Sequence, residues 1–277
     1  MKSIQEVIQL STVYLGERKI ERARRTAEEL LSHILHCKRI DLYLQFDRPV
    51  IEKELVLLRD SLKRVGKGEP FEYVIGEVEF SGCKIHVDPR VLIPRPETEI
   101  LVDHIIKRVK GKTIWDVCSG SGYIGIALKK TLPHLSVALS DICPDVLSLA
   151  KENAKRNGAE VECFLGDLLA PFEGQMTDAV VCNPPYISDK EYFEIDSSVR
   201  DHEPKRALVG GEKGTEFYER LSRELPPYLK SGGQLFLEIG ASQGEVVKEI
   251  FQSPPWTHPE LLQDWSRKDR FFFLEKQ

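Results

Sequence analysis

The segment from Thr113 to Leu128 constrains the fold of this chain more than any other part of the sequence. The run Thr113–Cys118 is typical of a buried strand, and it opens into a glycine-rich loop that leads into a helix. Gly120, Gly122 and Gly125 allow a sharp turn and a close approach of the backbone to a ligand. Since nucleotide-binding α/β sheets require this order of strand, loop and helix, the segment predicts a nucleotide-type ligand at the end of the strand.

Two later strands place acidic residues where such a ligand would lie. The strand Ser136–Ser140 ends at Asp141, about 20 residues past the glycines, where Rossmann-like sheets hold two ribose hydroxyls on an acid. Capping of the next helix is the alternative, and the spacing favours the ribose role. The strand Val161–Leu165 leads to Asp167 and Leu168. Their positions predict contacts with an adenine amino group and ring face, with a turn residue and a core residue as the alternatives.

The loop Asn183–Tyr186 follows a fourth strand, Ala179–Cys182. Its two prolines have no N–H, so the loop is stiff and offers carbonyl acceptors, and Pro185 holds the residue before it in an extended conformation. The Asn183 side chain adds an uncharged acceptor and two donors. Such a loop can hold a planar NH₂ group on the Asn183 oxygen and the Pro184 carbonyl, with the Tyr186 ring against its flat face. An isolated Asn-Pro-Pro would rather indicate a turn that ends a strand, but the neighbouring motifs favour a site.

The remainder of the chain completes a sheet. Residues 187–215 are polar and are predicted to form a long irregular loop over the site. A helix around Phe217 leads to the strand Gln234–Ile239, and Arg270–Leu274 is predicted as the last strand. Strands that alternate with helices and end in a strand-rich segment predict an α/β fold, a doubly wound sheet with helices on both faces and a late antiparallel addition.

Three segments are predicted along the chain. Residues 1–65 form a small helical domain, because apolar residues recur at intervals of three and four, and its charged outer face is either solvated or docks a partner protein. Residues 66–97 form a linker with a β-hairpin between Phe71 and Val91, where the apolar period changes to two. Residues 98–277 form the α/β domain. We expect Arg95 and Glu97 to be capping charges at the first helix of that domain.

Charge and cysteine usage exclude several classes of protein. A formal net charge of -5 provides no global basic field for nucleic acid. The six cysteines include no Cys-x-x-Cys pair and no grouping with histidine at metal-ligand spacing, so we expect reduced thiols and no metal site. No stretch reaches the ~18 apolar residues that a membrane span needs, and the first residues lack an apolar signal segment. We therefore expect a cytoplasmic enzyme without a membrane partner.

The ordered motifs resemble one family, the release factor glutamine methyltransferases of the PrmC/HemK type. The resemblance covers nearly the whole chain, and the ordered set is more specific than any single motif. It is densest at Phe80–Gly82, Val91–Glu99, Asp116–Gly122, Asn183–Tyr186 and Glu238–Gly240. The resemblance implies a class I, Rossmann-like methyltransferase domain, S-adenosyl-L-methionine as methyl donor and S-adenosyl-L-homocysteine as product. It also implies that the acceptor is the glutamine of the Gly-Gly-Gln motif in peptide chain release factors.

The resemblance also implies a role for each motif residue. The implied contacts are the methionine part of the donor with Cys118, Ser119, Gly120, Ser121 and Gly122, its ribose with Asp141, its adenine with Asp167 and Leu168, and the acceptor with Asn183, Pro184, Pro185 and Tyr186. Asn183, Pro184 and Tyr186 are the expected catalytic residues, and Asn183 is also expected near the donor. Many relatives have Gly or Thr at the positions of Cys118 and Ser119, and an aromatic residue is common at that of Leu168.

Two other functions fit parts of the sequence. An adenine amino methyltransferase acting on nucleic acid could use the same loop, because adenine also carries a planar NH₂ group. That function needs a flipped base and a basic recognition domain, whereas this chain is acidic and its accessory domain is a short helical bundle. A donor-binding scaffold protein without turnover is the second alternative, and the complete acceptor loop argues against it.

Overall fold

A computed structural model describes residues 2–277 of the chain. The chain divides into two compact units, and the sequence crosses between them three times. The first unit contains the residues up to Gly76 together with Asp196–His202, and the second contains Glu77–Ile195 and Glu203–Gln277.

The first unit is helical around its own apolar core. Its helices are α1 (Ile4–Gly16), α2 (Ala23–Ile34), α3 (Arg39–Leu44), α4 (Glu52–Val65) and α5 (Phe71–Ile75). Ser3 begins α1 with a capping box, in which the Ser3 hydroxyl accepts from the Glu6 N–H and the Glu6 carboxylate accepts from the Ser3 N–H. Leu15, Leu30 and Leu31 are fully buried between the helices. The predicted helical pattern of this part of the chain is thus present.

The hairpin that follows is shorter than the sequence predicts. Strands β1 (Glu77–Phe80) and β2 (Cys83–His86) pair antiparallel, but the residues before them form α5. Pro70 precedes this helix, and Gly76 ends it in a left-handed conformation with φ 81°. A helix of only five residues has too few turns to display a helical period, which is why the sequence did not distinguish it from a strand.

The second unit contains a sheet with helices between its strands. The elements that lead to the acceptor loop are α6 (Pro96–Arg108), β3 (Thr113–Val117), α7 (Tyr123–Thr131), β4 (Ser136–Asp141), α8 (Pro144–Arg156), β5 (Glu162–Leu165) and β6 (Thr177–Cys182). After the acceptor loop the chain forms β7 (Ile187–Ser188) and then α9 (Ser197–Arg200), which belongs to the first unit. The remaining elements of the second unit are α10 (Lys205–Leu208), β8 (Val209–Gly211), α11 (Glu216–Glu224), β9 (Leu229–Glu238), α12 (Gly244–Ile250), β10 (Trp256–Gln263) and β11 (Asp269–Lys276).

Seven strands form the main sheet in the order β10-β11-β9-β6-β3-β4-β5. Strands β9, β6, β3, β4 and β5 are parallel, and β11 runs antiparallel to both of its neighbours. On one face, Val117 and Leu235 pack with Tyr218 of α11 and Val247 of α12. On the other face α7 lies close to Leu139. The structure confirms the predicted doubly wound α/β sheet with a late antiparallel strand.

Two segments differ from the sequence prediction. Strand β10 was not predicted, because its alternation is interrupted by exposed polar residues and by two register shifts against β11. Residues 187–215 are not irregular throughout, since β7 and β8 pair in parallel and α9 and α10 lie between them. These elements have only two to four residues each, which is too short for a sequence period.

Candidate functional site

A cleft opens at the carboxyl ends of β3, β4, β5 and β6, where the chain order of the sheet reverses between β3 and β6. Among the residues that line it are seven predicted from the sequence: Cys118, Gly120, Asp141, Asp167, Leu168, Asn183 and Pro185. Apolar side chains, including Val91, Ile142 and Phe217, also line the wall, together with polar ones such as Ser140 and Arg206. The structure therefore brings the predicted donor residues and the acceptor loop to one place.

The loop between β3 and α7 turns through three left-handed residues. Cys118, Gly120 and Gly122 have φ of 58°, 55° and 80°. The Gly120 N–H donates to Asp141 Oδ2 over 3.0 Å, which ties the loop to the end of β4. Gly125 serves another purpose, because a Cβ there would lie 2.2 Å from Leu139 Cδ2. Gly125 thus lets α7 pack closely on the sheet, while Gly120 and Gly122 shape the turn.

Three predicted donor residues lie behind the cleft wall. Ser119 and Ser121 are buried, and Gly122 begins α7 beneath the turn. The hydroxyls of Ser119, Ser121 and Ser140 are buried without a hydrogen-bond partner among the described residues. Ser140 lines the cleft, so its hydroxyl is a polar group at the ligand position that the protein itself does not satisfy. A bound nucleoside with polar edges fits this feature.

Asp116 supports the loop from below. Its Oδ2 accepts the Gly125 N–H over 2.8 Å, and its Oδ1 has no partner among the described residues. Burial raises the pKa of this carboxyl to about 7, and the neighbouring Asp141 adds to the shift. Asp116 is thus a structural acid beneath the cleft and does not line it.

Asp141 faces the cleft and also holds the backbone on both sides. Its Oδ2 accepts the Gly120 N–H and its Oδ1 accepts the Cys143 N–H, each over 3.0 Å. Burial raises the pKa of this carboxyl, and the two backbone donors counteract the increase. Each carboxylate oxygen can accept a second hydrogen bond, so the ribose role and the helix-capping role predicted as alternatives are compatible. Next to it, the exposed Ile142 offers an apolar face to the cleft.

Asp167 and Leu168 have roles in the protein as well as positions on the cleft. Arg220 of α11 donates to both Asp167 oxygens, over 3.1 and 2.9 Å. Leu168 is buried in the core cluster and has φ 51°, which is unusual for a residue with a branched side chain. Asp167 is therefore a turn residue and Leu168 a core residue, and both also line the cleft.

The acceptor loop is held from several directions. Asn183 Nδ2 donates to the Tyr123 hydroxyl over 3.0 Å, which leaves Oδ1 as the atom that can accept. The Tyr186 carbonyl accepts from Gln243 Nε2 over 2.9 Å. Gly210 of β8 lies so close that a Cβ there would come 2.3 Å from the Pro185 carbonyl oxygen. Pro184 is buried in the loop, and Asn183 and Pro185 face the cleft.

Arg95 is not a capping charge, contrary to the sequence prediction. Its side chain makes no cap hydrogen bond to α6, and its guanidinium donates to Glu203 Oε1 over 2.5 Å. Glu203 is almost fully buried, and its other oxygen accepts the Ile93 N–H over 3.1 Å. Burial by itself would lower the pKa of Arg95, but Glu203 outweighs it and the pKa is raised. Arg95 thus anchors the extended segment that precedes α6, close to the acceptor loop.

Tyr186 stays neutral in this environment. Burial raises the pKa of its phenol to about 12, with Glu238 adding to the shift and Arg270 and Arg95 opposing it. A neutral aromatic ring is therefore available on the loop. The partly buried ring packs against the apolar cluster under α11.

Sequence reasoning missed five polar residues around the acceptor loop: Thr98, Tyr123, Glu203, Glu238 and Gln243. Glu203 lies 108 residues from Arg95 in the chain, and Gln243 lies 57 residues from Tyr186. No local pattern predicts such pairs. The sequence signal for three of them was their position in or next to a named motif: Thr98 in Val91–Glu99, Tyr123 directly after Asp116–Gly122, and Glu238 in Glu238–Gly240.

Residues 2–277 contain neither a membrane-spanning helix nor a cluster of metal-ligating side chains. No helix in this part of the chain is long and apolar enough to cross a membrane. No three His, Cys, Asp or Glu side chains are grouped there as they would be around a metal ion.

Two family models match the chain. The model described as "Methyltransferase small domain" matches residues 96–199, and the model described as "PrmC N-terminal domain" matches residues 6–76. The chain is 43% identical to the release factor glutamine methyltransferase of Chlamydia trachomatis serovar L2, over 99% of this chain and 94% of the relative. It is 38% identical to the protein of the same name from Geobacter sulfurreducens, over 97% of this chain and 95% of the relative.

Solved structures show the same fold at low sequence identity. A methyltransferase from Pyrococcus furiosus superimposes with a TM-score of 0.54 at 17% identity, covering 70% of this chain and 89% of that one. The 16S rRNA N2 G1207 methyltransferase of T. thermophilus, in complex with AdoMet and guanosine, gives a TM-score of 0.53 at 16% identity, covering 73% of this chain and 50% of that one. At this identity the similarity extends to the fold alone.

Proposed function

Because the chain belongs to the family of the release factor glutamine methyltransferases, we propose that it methylates the glutamine of the Gly-Gly-Gln motif in peptide chain release factors. The methyl group goes to the side-chain amide nitrogen. The single observation that carries the proposal is the placement of Asn183, whose Nδ2 is held by Tyr123 while its oxygen remains for an incoming N–H. A substrate used in translation places the reaction in the cytoplasm.

S-adenosyl-L-methionine is the cofactor, and when bound it supplies a methyl group on a cationic sulfur. The residues of the cleft fit its parts. Asp141 would hold the ribose hydroxyls, with the apolar faces of Ile142 and Leu168 on either side of the adenine. Asp167 would contact the adenine amino group while Arg220 holds its carboxylate in place. The turn from Cys118 to Gly122, together with Asn183, would surround the methionine part.

The acceptor loop would orient the glutamine amide. An amide nitrogen is a poor nucleophile, because its lone pair is delocalised into the carbonyl. Asn183 Oδ1 and the Pro184 carbonyl would each accept one N–H, so that the face of the nitrogen points at the methyl group in a near-attack geometry. The neutral ring of Tyr186 would cover the amide, and an aromatic face is mildly favourable near a cation. Without a strong base at the nitrogen, the proton leaves after the new bond has formed.

Adenine in nucleic acid is the less favoured acceptor. The net charge of -5 gives no general attraction for phosphates, and the relatives reported above are named for a protein substrate. The similarity to an rRNA methyltransferase extends only to the fold. We therefore propose no direct nucleic-acid substrate.

The helical unit would provide a second contact for the release factor. A groove between α1 and α4 is lined by apolar side chains that include Leu10 and Leu55, and by Lys2, Arg59 and Lys63. Its described lining residues include no carboxylate. An apolar groove edged by three cations suits a release-factor segment that carries apolar and acidic side chains. Two contacts on one partner raise affinity far above that of the glutamine alone.

A methyl-transfer assay tests this function. Purified protein, release factor and donor labelled in the methyl group should yield label in the release factor, and mass spectrometry should place it on the Gly-Gly-Gln glutamine. Duplex DNA containing adenine serves as the competing acceptor in a parallel reaction. Label in adenine, or the absence of label in the release factor, would refute the proposed substrate.

A further inference from the structure

A chain of buried hydrogen bonds lies behind Asn183. The Asn183 amide donates to the Tyr123 hydroxyl over 3.0 Å, and the Thr98 hydroxyl donates to Glu238 Oε2 over 2.7 Å. Thr98 also faces the Tyr123 phenol, where it opposes the rise that burial causes in the pKa of this group, and so connects the two hydrogen bonds. Thr98, Tyr123 and Glu238 are exposed by 0%, 4% and 2%. The three residues come from α6, α7 and the end of β9, so the chain joins three elements behind the acceptor loop.

Glu238, the last residue of this chain of contacts, determines which group donates in each hydrogen bond. In its ionised form Glu238 has only acceptor atoms, and the Thr98 hydroxyl donates to it. The Thr98 oxygen is then the acceptor for the Tyr123 hydroxyl, and the Tyr123 oxygen is the acceptor for Asn183. The Asn183 amide also faces the Glu238 carboxyl and lowers its pKa, as a donor group does. Both contacts of Asn183 thus require its NH₂ group on this side, and hydrogen bonds aligned in one direction strengthen each other.

Burial, charges and hydrogen bonds act on the pKa of Glu238 in opposite directions, and burial has the largest effect. Burial raises the pKa of this carboxyl to about 7, and Glu97 of α6 acts in the same direction. The hydrogen bonds of Thr98 and Asn183 and the positive charge of Arg270 on β11 oppose the increase. The phenols of Tyr123, Tyr186 and Tyr218 also face this carboxyl.

The side-chain amide of Asn183 has two possible orientations, and they select opposite ligands. With NH₂ held toward Tyr123 and Glu238, the oxygen faces the cleft and accepts an N–H from a substrate amide. In the reverse orientation the NH₂ group would face the substrate NH₂ and leave it without an acceptor. That orientation would instead favour a carboxylate, which can only accept.

We propose that Glu238 is a positioning residue that fixes the orientation of the Asn183 side-chain amide through Thr98 and Tyr123, and that this makes the site select glutamine over glutamate. The inference rests on the proposed function, since it assigns the same site a means of specificity. It also accounts for a buried carboxyl group that the methyl transfer itself does not use. A site that rejects glutamate discriminates by leaving a polar group unpaired, which is an effective form of specificity.

The test uses Glu238→Gln in the full-length protein. Glutamine has nearly the same shape but offers both an acceptor and a donor, so the chain loses its fixed direction. We expect unchanged affinity for S-adenosyl-L-methionine, and a kcat on the release factor that falls about 10- to 100-fold, as for other residues that orient a ligand-binding group. The dissociation constants of the release factor and of its Gln→Glu variant are measured with the wild-type enzyme and with Glu238→Gln. For each enzyme, the ratio of the two constants gives its preference for glutamine. Preference for glutamine should shrink at least about tenfold in Glu238→Gln.

A second pair of variants breaks the chain without altering Glu238. Thr98→Val removes the relaying hydroxyl and should reduce the preference for glutamine, whereas Thr98→Ser retains the hydroxyl and should preserve it. Thr177→Val is the matched control, because Thr177 is equally buried and hydrogen-bonded at the opposite end of β6. It should leave the ratio unchanged. If Glu238→Gln does not fold, the two Thr98 variants decide the question.

The possible results are distinct. A wild-type protein that does not methylate the release factor would contradict the proposed function. A wild-type protein that does so, with Glu238→Gln and Thr98→Val retaining the full preference for glutamine, would overturn the positioning role alone. Equal weakening of glutamine and glutamate binding would likewise overturn it, because general loss of structure affects both ligands alike.

Discussion

Asp141 connects the proposed ligand to the backbone of the protein. Its two oxygens already accept from Gly120 and Cys143, so replacement by alanine would disturb the loop as well as the ribose contact. Asparagine is the better test, because its oxygen can still accept one of these N–H groups.

Asp141→Asn should weaken binding of S-adenosyl-L-methionine by about 2 kcal/mol, since a hydrogen bond to a charged group is worth about 1.5–3 kcal/mol. Calorimetric titration measures the affinity, and thermal unfolding verifies that the variant folds. Asp145→Asn, an exposed residue in the first turn of α8, is the matched control and should bind normally. Unchanged affinity in a folded Asp141→Asn would exclude the ribose contact.

Asn183 is predicted to act on the acceptor more than on the donor. Asn183→Ala should reduce kcat on the release factor by at least about 100-fold while donor affinity changes far less, because the side chain orients the amide in the transition state. Steady-state kinetics and donor titration on the same preparation separate the two effects. Near-normal turnover in the variant would contradict the orientation mechanism.

The buried carboxyl of Asp116 should make stability depend on pH. Its pKa is raised to about 7, so the folded protein retains a proton that the unfolded chain releases at lower pH. Stability contributed by this group is therefore lost as the pH rises from about 4 to about 7, by up to about 1.4 kcal/mol per pH unit. Asp116→Asn cannot titrate there and should show a flatter pH dependence in urea unfolding between pH 5 and 7. Equal slopes for the two proteins would contradict the raised pKa.

At the scale of elements, the short parallel pair β7–β8 supports the acceptor loop. Gly210 of β8 has no room for a side chain, because its Cβ would meet the Pro185 carbonyl oxygen at 2.3 Å. The backbone of one element thus determines the position of the carbonyl groups in another. Sequence reasoning had assigned this region to an irregular loop.

Gly210→Ala should displace the acceptor loop. We expect a lower kcat with little change in donor affinity, and a loss of stability of about 1–3 kcal/mol from overpacking. Steady-state kinetics measures kcat, donor titration measures the donor affinity, and urea unfolding measures the stability. Gly16→Ala is the matched control, since it too adds one methyl group and nothing lies within 4 Å of the added Cβ. A variant at Gly210 with wild-type turnover would show that the loop accommodates the methyl group.

For the molecule as a whole, each of the two units contains one of the proposed binding surfaces. The α/β unit contains the cleft and the acceptor loop, and the helical unit contains the groove lined by Leu10, Lys2, Arg59 and Lys63. A release factor that uses both surfaces should respond to changes in the groove, whereas a short peptide should not.

Leu10→Glu places a negative charge in this groove. KM for the full-length release factor should rise about tenfold, equivalent to ~1.4 kcal/mol, while a short Gly-Gly-Gln peptide remains as poor a substrate as before. Leu57→Glu is the matched control, because Leu57 is 52% exposed, close to the 50% of Leu10, and does not line the groove. Equal effects of the two variants on the release factor would rule out the groove as the docking surface.

The sequence by itself determined the fold class, the parallel strands and the ends of β3, β4, β5 and β6, because apolar period and glycine or proline punctuation are local signals. It also predicted seven of the residues that line the cleft, since parallel strands bring their carboxyl ends to one edge. Only the tertiary structure decided that Arg95 pairs with Glu203, that α5 is a helix, and that Thr98, Tyr123 and Glu238 stand behind Asn183. The physical reason is that hydrogen bonds between buried groups depend on positions in space, and residues 108 or 140 apart in the chain share no local pattern.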